Sequence, residues 1–156
     1  MRAMQDSVTV TIAASPEQVW ALVSDVTKIG RYSPETFEGE WLDGAAGPAV
    51  GVRFRGHVKR NEKGPTYWAT CVITECEPNR VFGFTVGSSV EKGLNNWRYE
   101  LTANADGTTD VTESFRLKDA LGLKVYWAVL GGVRGKTNRN GMQRTLEAMK
   151  AELEQP

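Results

Sequence analysis

Residues 96–117 read NWRYELTANADGTTDVTESFRL. Trp97, Tyr99 and Leu101 alternate with polar residues in the first half, and Val111 and Phe115 fall on the same parity in the second, the period of two that marks half-buried strands. Between them Asn104-Ala105-Asp106-Gly107-Thr108 suits a three-residue loop with Gly107 in the left-handed position. The spacing therefore predicts strands over Asn96–Ala103 and Asp110–Leu117, with Leu101 opposite Val111, Tyr99 opposite Glu113 and Trp97 opposite Phe115. One carboxylate, Glu113, then stands on an otherwise apolar face.

The same pattern extends upstream. Thr66–Cys76 and Val81–Val86 read as strands, and so do Phe37–Leu42 and Val52–Lys59, joined by the turn-rich DGAAGPAVG. A hairpin centred near Ala46 and Gly47 sets Glu40 opposite Arg53, Glu38 opposite Arg55 and Trp41 opposite Val52. Such cross-strand ion pairs are worth a few tenths to about 1 kcal/mol each. Around Pro78-Asn79 two registers stand. In the first, Thr74 faces Phe84 and Trp68 and Val72 point inward; in the second, a two-residue turn sets Ile73 opposite Phe84 and turns Tyr67 and Cys71 inward instead. Cys71 and Cys76, five apart on one strand, are expected on opposite faces as free thiols.

At the start, Ser7–Ala13 (SVTVTIA) is a strand presenting Val8, Val10 and Ile12 on one face. Ser15-Pro16-Glu17-Gln18 is a capping box with proline in the first turn, so a short helix follows, carrying Val19, Trp20, Leu22 and Val23. A second helical turn is expected over Val26–Tyr32. After Asp119 the pattern becomes helical. ALGLKVYWAVLGGVRG is apolar but broken by Gly131, Gly132 and Gly135, and reads as a lid over a pocket mouth or as a buried helix or partner surface. Lys136–Glu154 then carries Met142, Leu146, Met149 and Leu153 as one apolar stripe on a helix about 28 Å long.

With 156 residues, the chain is expected to form one domain, 1–156, burying roughly 68 to 70 per cent of its unfolded surface. Nineteen Lys plus Arg balance nineteen Asp plus Glu, which argues against nucleic acid or an anionic membrane as partner. MRAMQDSVTVTIAAS lacks the apolar core of a secretory signal, and no 18-residue apolar run occurs. A cytoplasmic protein with no integral membrane association is expected, and oligomerisation is possible but not implied. A single His and two Cys make no metal-ligand cluster, there is no nucleotide-binding glycine motif or nucleophile elbow, and no cofactor is expected.

The order of elements, carried by SVTVTIAASPEQVWALVSD, GVRFRG, YWATCVITECEPNRVFGF, NNWRYELTANADGTTDVTESF and GMQRTLEAMKAELE, resembles the helix-grip fold of the START-like (SRPBCC) superfamily. That superfamily includes polyketide cyclases and dehydrases, plant pathogenesis-related class 10 and birch-pollen-type proteins, and lipid-transfer domains. The resemblance covers nearly the whole chain. It implies an α+β architecture: a seven-stranded curved antiparallel sheet around a long C-terminal helix, two short helices between strands 1 and 2, and a cavity between sheet and helix. The motifs say little about activity, because the superfamily hosts many unrelated functions.

The inward face is expected to carry Phe37, Trp41, Phe54, Trp68, Val72, Phe82, Phe84, Trp97, Tyr99 and Phe115, closed by Met142, Leu146 and Met149, with Trp127 on the lid. An aromatic surface with adaptable Met contacts suits a hydrophobic ligand; the same side chains also serve as ordinary core. Glu113 and Tyr99 are the polar pair on that face and the candidates for any catalysis, since a carboxyl in an apolar cavity has a raised pKa. His57 shares parity with Arg53, Arg55 and Lys59 and is expected on the solvated outer face. The leading expectation is binding or transport of a lipid, isoprenoid or polyketide-like molecule. The alternatives are a polyketide cyclase or dehydratase-like enzyme using the same cavity, and a non-catalytic protein-interaction module.

Overall fold

The computed structural model describes residues 5–59, 65–93, 95–117 and 139–155. The candidate lid, including Tyr126 and Trp127, lies outside the described residues. β1 (Gln5–Ile12) leads into α1 (Pro16–Val23), a 3-10 helix (Val26–Arg31), and then β2 (Thr36–Trp41), β3 (Arg53–Val58), β4 (Tyr67–Glu77), β5 (Val81–Val86), β6 (Asn95–Ala103) and β7 (Thr109–Leu117). Residues 139–153 form a helix, α2. The strands make one antiparallel sheet in the order β1-β7-β6-β5-β4-β3-β2. This is the helix-grip arrangement.

Local chemistry explains the elements. α1 begins at the capping box: Ser15 Oγ accepts from the Gln18 N–H at 3.2 Å, and Gln18 Oε1 accepts from the Ser15 N–H at 2.9 Å. The 3-10 helix lies against β2 through two glycines. A Cβ on Gly39 would come within 2.4 Å of the Val26 carbonyl oxygen, and one on Gly30 within 2.1 Å of the Phe37 oxygen, so only glycine admits this approach. On the far edge, Lys150 Nζ donates to the Thr11 carbonyl at 3.2 Å and Glu154 Oε2 accepts from the Ala13 N–H at 2.8 Å, fastening α2 to β1. The core packs the concave face, including Ile12, Phe54, Ile73, Phe82, Leu101 and Val111, against Leu146 and Met149 of α2 and Val19, Leu22 and Val23 of α1.

The β6–β7 hairpin has the expected register, with Trp97↔Phe115, Tyr99↔Glu113 and Leu101↔Val111. Gly107 sits at φ +88°, and the Asn104 N–H bonds to the Thr108 oxygen at 2.9 Å.

The first hairpin departs from its expected register: Glu40 pairs with Arg55, Glu38 with His57, and Trp41 with Phe54 rather than Val52. Asp43 and Gly44 are left-handed (φ +56° and +75°) and turn the chain directly after β2, while Gly51 and Val52 bond to Ile73 of β4. Pairing of β3 with β2 therefore starts at Arg53, whose guanidinium grips Asp43 through two bonds of 2.8 and 2.9 Å.

In β4 the register shifts between Ile73 and Glu75, so one extra residue, Thr74, is inserted against β5. The turn itself follows the first register (Glu77↔Val81, with Asn79 at φ +65°), but beyond the bulge Ile73 faces Phe84. A bulge reverses the facing of everything on its far side. Trp68 and Val72 consequently point outward and Tyr67 and Cys71 inward, correcting their expected placement. Cys71 and Cys76 share the concave side rather than opposite faces, since both pack on the core.

Phe37 is likewise outward and 47 % exposed, because a second irregularity between Thr36 and Glu38 turns it onto His57, ring centroids 4.4 Å apart. The outer face there is a stack. His57 lies flat on Trp68 at 4.2 Å, Arg55 covers the same indole at 4.1 Å, and Glu38 and Glu40 hold His57 and Arg55.

A candidate ligand-binding cavity

Between the sheet and α2 lies a cavity of about 190 Å³. Small side chains open it. Gly56 and Ala69 pair directly across β3 and β4, and Gly141 and Thr145 stand one turn apart on α2, all four on the cavity wall. A Cβ on Gly141 would meet nothing within 4 Å among the described residues. Aromatic and apolar residues complete the wall, among them Phe54, Phe84, Trp97, Tyr67 and Met142.

Of the residues expected on this face, Phe54, Phe84, Trp97, Tyr99, Glu113 and Met142 line the cavity. Trp41 packs edge-on against Phe54 at 6.3 Å. Phe82, Leu146 and Met149 are filled core, and Phe115 packs with Met142 and Leu117. Trp68 and Val72 are on the other side of the sheet. Tyr32 was not foreseen: the 3-10 helix delivers it, buried, to the cavity wall.

Glu113 is 4 % exposed, and its Oε2 accepts a 3.0 Å hydrogen bond from the Tyr99 hydroxyl. Its Oε1 has no hydrogen-bond partner among the described residues. Removal from water disfavours the carboxylate and pushes the pKa up to about 8, although the bond from Tyr99 acts the other way. The group is therefore mostly protonated near neutral pH. Because Oε2 is already an acceptor for Tyr99, the proton belongs on Oε1, and the carboxyl presents a donor to the cavity. Burial, then the negative charge of Glu113, raises the pKa of both Tyr32 and Tyr99, so both phenols stay neutral. Burial also pushes the Cys71 thiol up to about 12.

The opposite face of the sheet carries a wider depression of about 590 Å³ among Gln5, Ser7, Thr74, Glu75, Arg98 and Arg116. Its central cation, Arg98, is already committed to Glu75 and Glu100, each at 2.6 Å. Among its described residues it has none of the unpartnered buried groups that mark the inner cavity.

Comparison with known proteins agrees with this geometry. The sequence pattern of the family described as polyketide cyclase / dehydrase and lipid transport matches residues 5–154. The chain belongs to that family. Among solved structures, a polyketide-cyclase-like protein from Corynebacterium glutamicum is 30% identical, with TM-score 0.65 over 97% of this chain and 91% of its own. A protein from Chromobacterium violaceum shares the fold at 16% identity and TM-score 0.70, covering 98% of this chain and 99% of its own. One of unknown function from Staphylococcus aureus does so at 12% identity and TM-score 0.69, covering 96% and 94%. None of the curated proteins matches the chain in sequence.

Proposed function

We propose that this family member binds and carries a small hydrophobic molecule in the cavity between sheet and helix, with Glu113 and Tyr99 orienting the ligand's polar end. The observation that supports this most is Glu113 Oε1, a buried polar atom on a largely apolar wall with no hydrogen-bond partner among the described residues. A buried polar group left unsatisfied costs about 1 to 3 kcal/mol, and a ligand that meets it recovers that cost. Apolar walls supply affinity by burial, and the carboxyl supplies orientation.

The test is native mass spectrometry of freshly purified protein beside its denatured mass, with extraction of any released compound. A stoichiometric hydrophobic adduct is expected. A clean apo mass, together with no thermal shift from a panel of lipids and aromatics, would point to a filled core.

A second reading, a cyclase or dehydratase-like enzyme, draws support from the same carboxyl, because a group poised near pH 8 can exchange protons at neutral pH. Glu113→Gln separates the two. A carrier loses at most about tenfold in affinity. An enzyme loses about 100- to 10,000-fold in rate with binding nearly unchanged.

A further inference from the structure

A second oxygen on the cavity wall shares the condition of Glu113. Asn95 Oδ1 is buried and has no hydrogen-bond partner among the described residues. Asn95 precedes Tyr99 by four residues on β6, so both side chains point to the same face, and their backbones are about 13 Å apart at 3.3 Å per residue. Trp97 stands between them, its ring 4.9 Å from that of Phe115. The wall thus runs from a polar group through an aromatic surface to a second polar group. Buried polar atoms in folded proteins are nearly always paired, so two unpaired ones facing one space describe the ends of what that space receives.

Charge and size narrow the class further. Among the described residues of the wall there is no Lys, Arg or His, and the acidic ones are Glu35 and Glu113, so an anionic ligand finds no counter-charge. The volume of about 190 Å³ exceeds the roughly 150 Å³ that accepts benzene. It falls below the 300 Å³ or so at which pockets begin to enclose drug-sized molecules.

We infer, granting the ligand-binding reading above, that the cavity takes a compact uncharged molecule of one or two rings, with a carbonyl-type acceptor at the end that meets Glu113 and a hydroxyl at the end that meets Asn95. A long acyl chain is not its ligand. The polar ends set selectivity, and Trp97 with its neighbours grips the ring.

The full chain is titrated calorimetrically with para-hydroxybenzylacetone, benzylacetone and para-hydroxyphenylpropionate, and by native mass spectrometry with dodecanol. The hydroxylated ketone is expected to bind one per chain and about three- to tenfold more tightly than benzylacetone, the value of one neutral hydrogen bond. Asn95→Ala removes that preference, so that the two ketones bind with equal affinity. Glu113→Leu weakens both ketones alike, with Glu113→Met, equally without a donor, as the fallback where the leucine variant does not fold. The propionate does not bind.

Equal affinity of the wild type for both ketones, a preference that survives Asn95→Ala, or tighter uptake of the carboxylate or of dodecanol would each overturn the inference while leaving a hydrophobic carrier standing. No uptake of any of the four compounds would overturn both.

Discussion

Replacing Glu113 by Gln removes a pH dependence that burial imposes on the fold. Glu113 titrates near 4.5 when solvated and at about 8 in the cavity wall, so between those values the folded chain holds a proton that the unfolded chain has released. The stability associated with the protonated carboxyl is fully present below about pH 4.5 and is lost as the pH rises through about 8. The slope approaches about 1.4 kcal/mol per pH unit and flattens at each end, so wild type loses about 2 kcal/mol between about pH 6 and about pH 8. Gln has the same shape, accepts the Tyr99 hydrogen bond through its oxygen and offers an N–H to the cavity, but does not titrate. Urea unfolding of both proteins over this range, taken as a difference, cancels every other titrating group. The variant should gain on wild type by about 2 kcal/mol across the interval. A flat difference curve would mean that Glu113 is already ionised in the folded protein. The donor assigned to Oε1 would then lose its basis.

Other perturbations probe the cavity and the two faces of the sheet. Ala69→Leu sets a bulky side chain into the gap opposite α2, and should abolish hydrophobic uptake in native mass spectra while the protein still unfolds cooperatively. Trp68→Ala, on the outer face, should leave uptake intact and cost about 1 kcal/mol in urea unfolding, the worth of an exposed cation–π contact with Arg55. The Cys71 thiol, buried and raised to about 12, should resist a thiol reagent near neutral pH while half-buried Cys76 reacts. Mass mapping of the labelled peptide distinguishes them, and labelling of Cys71 at the rate of an unfolded thiol would show the cavity to be open to solvent.

The strongest signals in the sequence were those that act locally. Asn104–Thr108 has the chemistry of one turn, and that turn fixed the register that sets Tyr99 against Glu113. The capping box at Ser15 likewise specified a helix start without help from tertiary structure. The β4 strand shows where such signals end. Tyr67, Cys71 and Ile73 are as apolar as Trp68 and Val72, so hydrophobic parity does not choose a face, and the bulge at Thr74 carries no glycine or proline to announce it. Phe37 was misplaced for the same reason. The cavity was legible only as surplus concave surface. What opens it is the absence of bulk at Gly56, Ala69 and Gly141, and small residues far apart in sequence say nothing until pairing brings them together. Tyr32 was hidden by the 3-10 helix, whose three-residue repeat offers too few turns to establish a buried face.

The position of β1 in the sheet has a consequence in time. Its hydrogen-bonding partner is β7, with Asp6 set against Phe115, about a hundred residues later in the chain. At ribosomal rates of about 5 to 20 residues per second, β1 emerges roughly 5 to 20 seconds before the strand that completes it. Meanwhile the meander from β2 to β6 can assemble from neighbours. The alternation of Thr9 and Thr11 with Val8 and Val10 keeps one side of the waiting strand polar. The helix that fastens its far edge, through Lys150 and Glu154, is made later still. Closure of the sheet and formation of the cavity thus wait for α2, and a chain arrested before α2 has all seven strands but no space enclosed between sheet and helix.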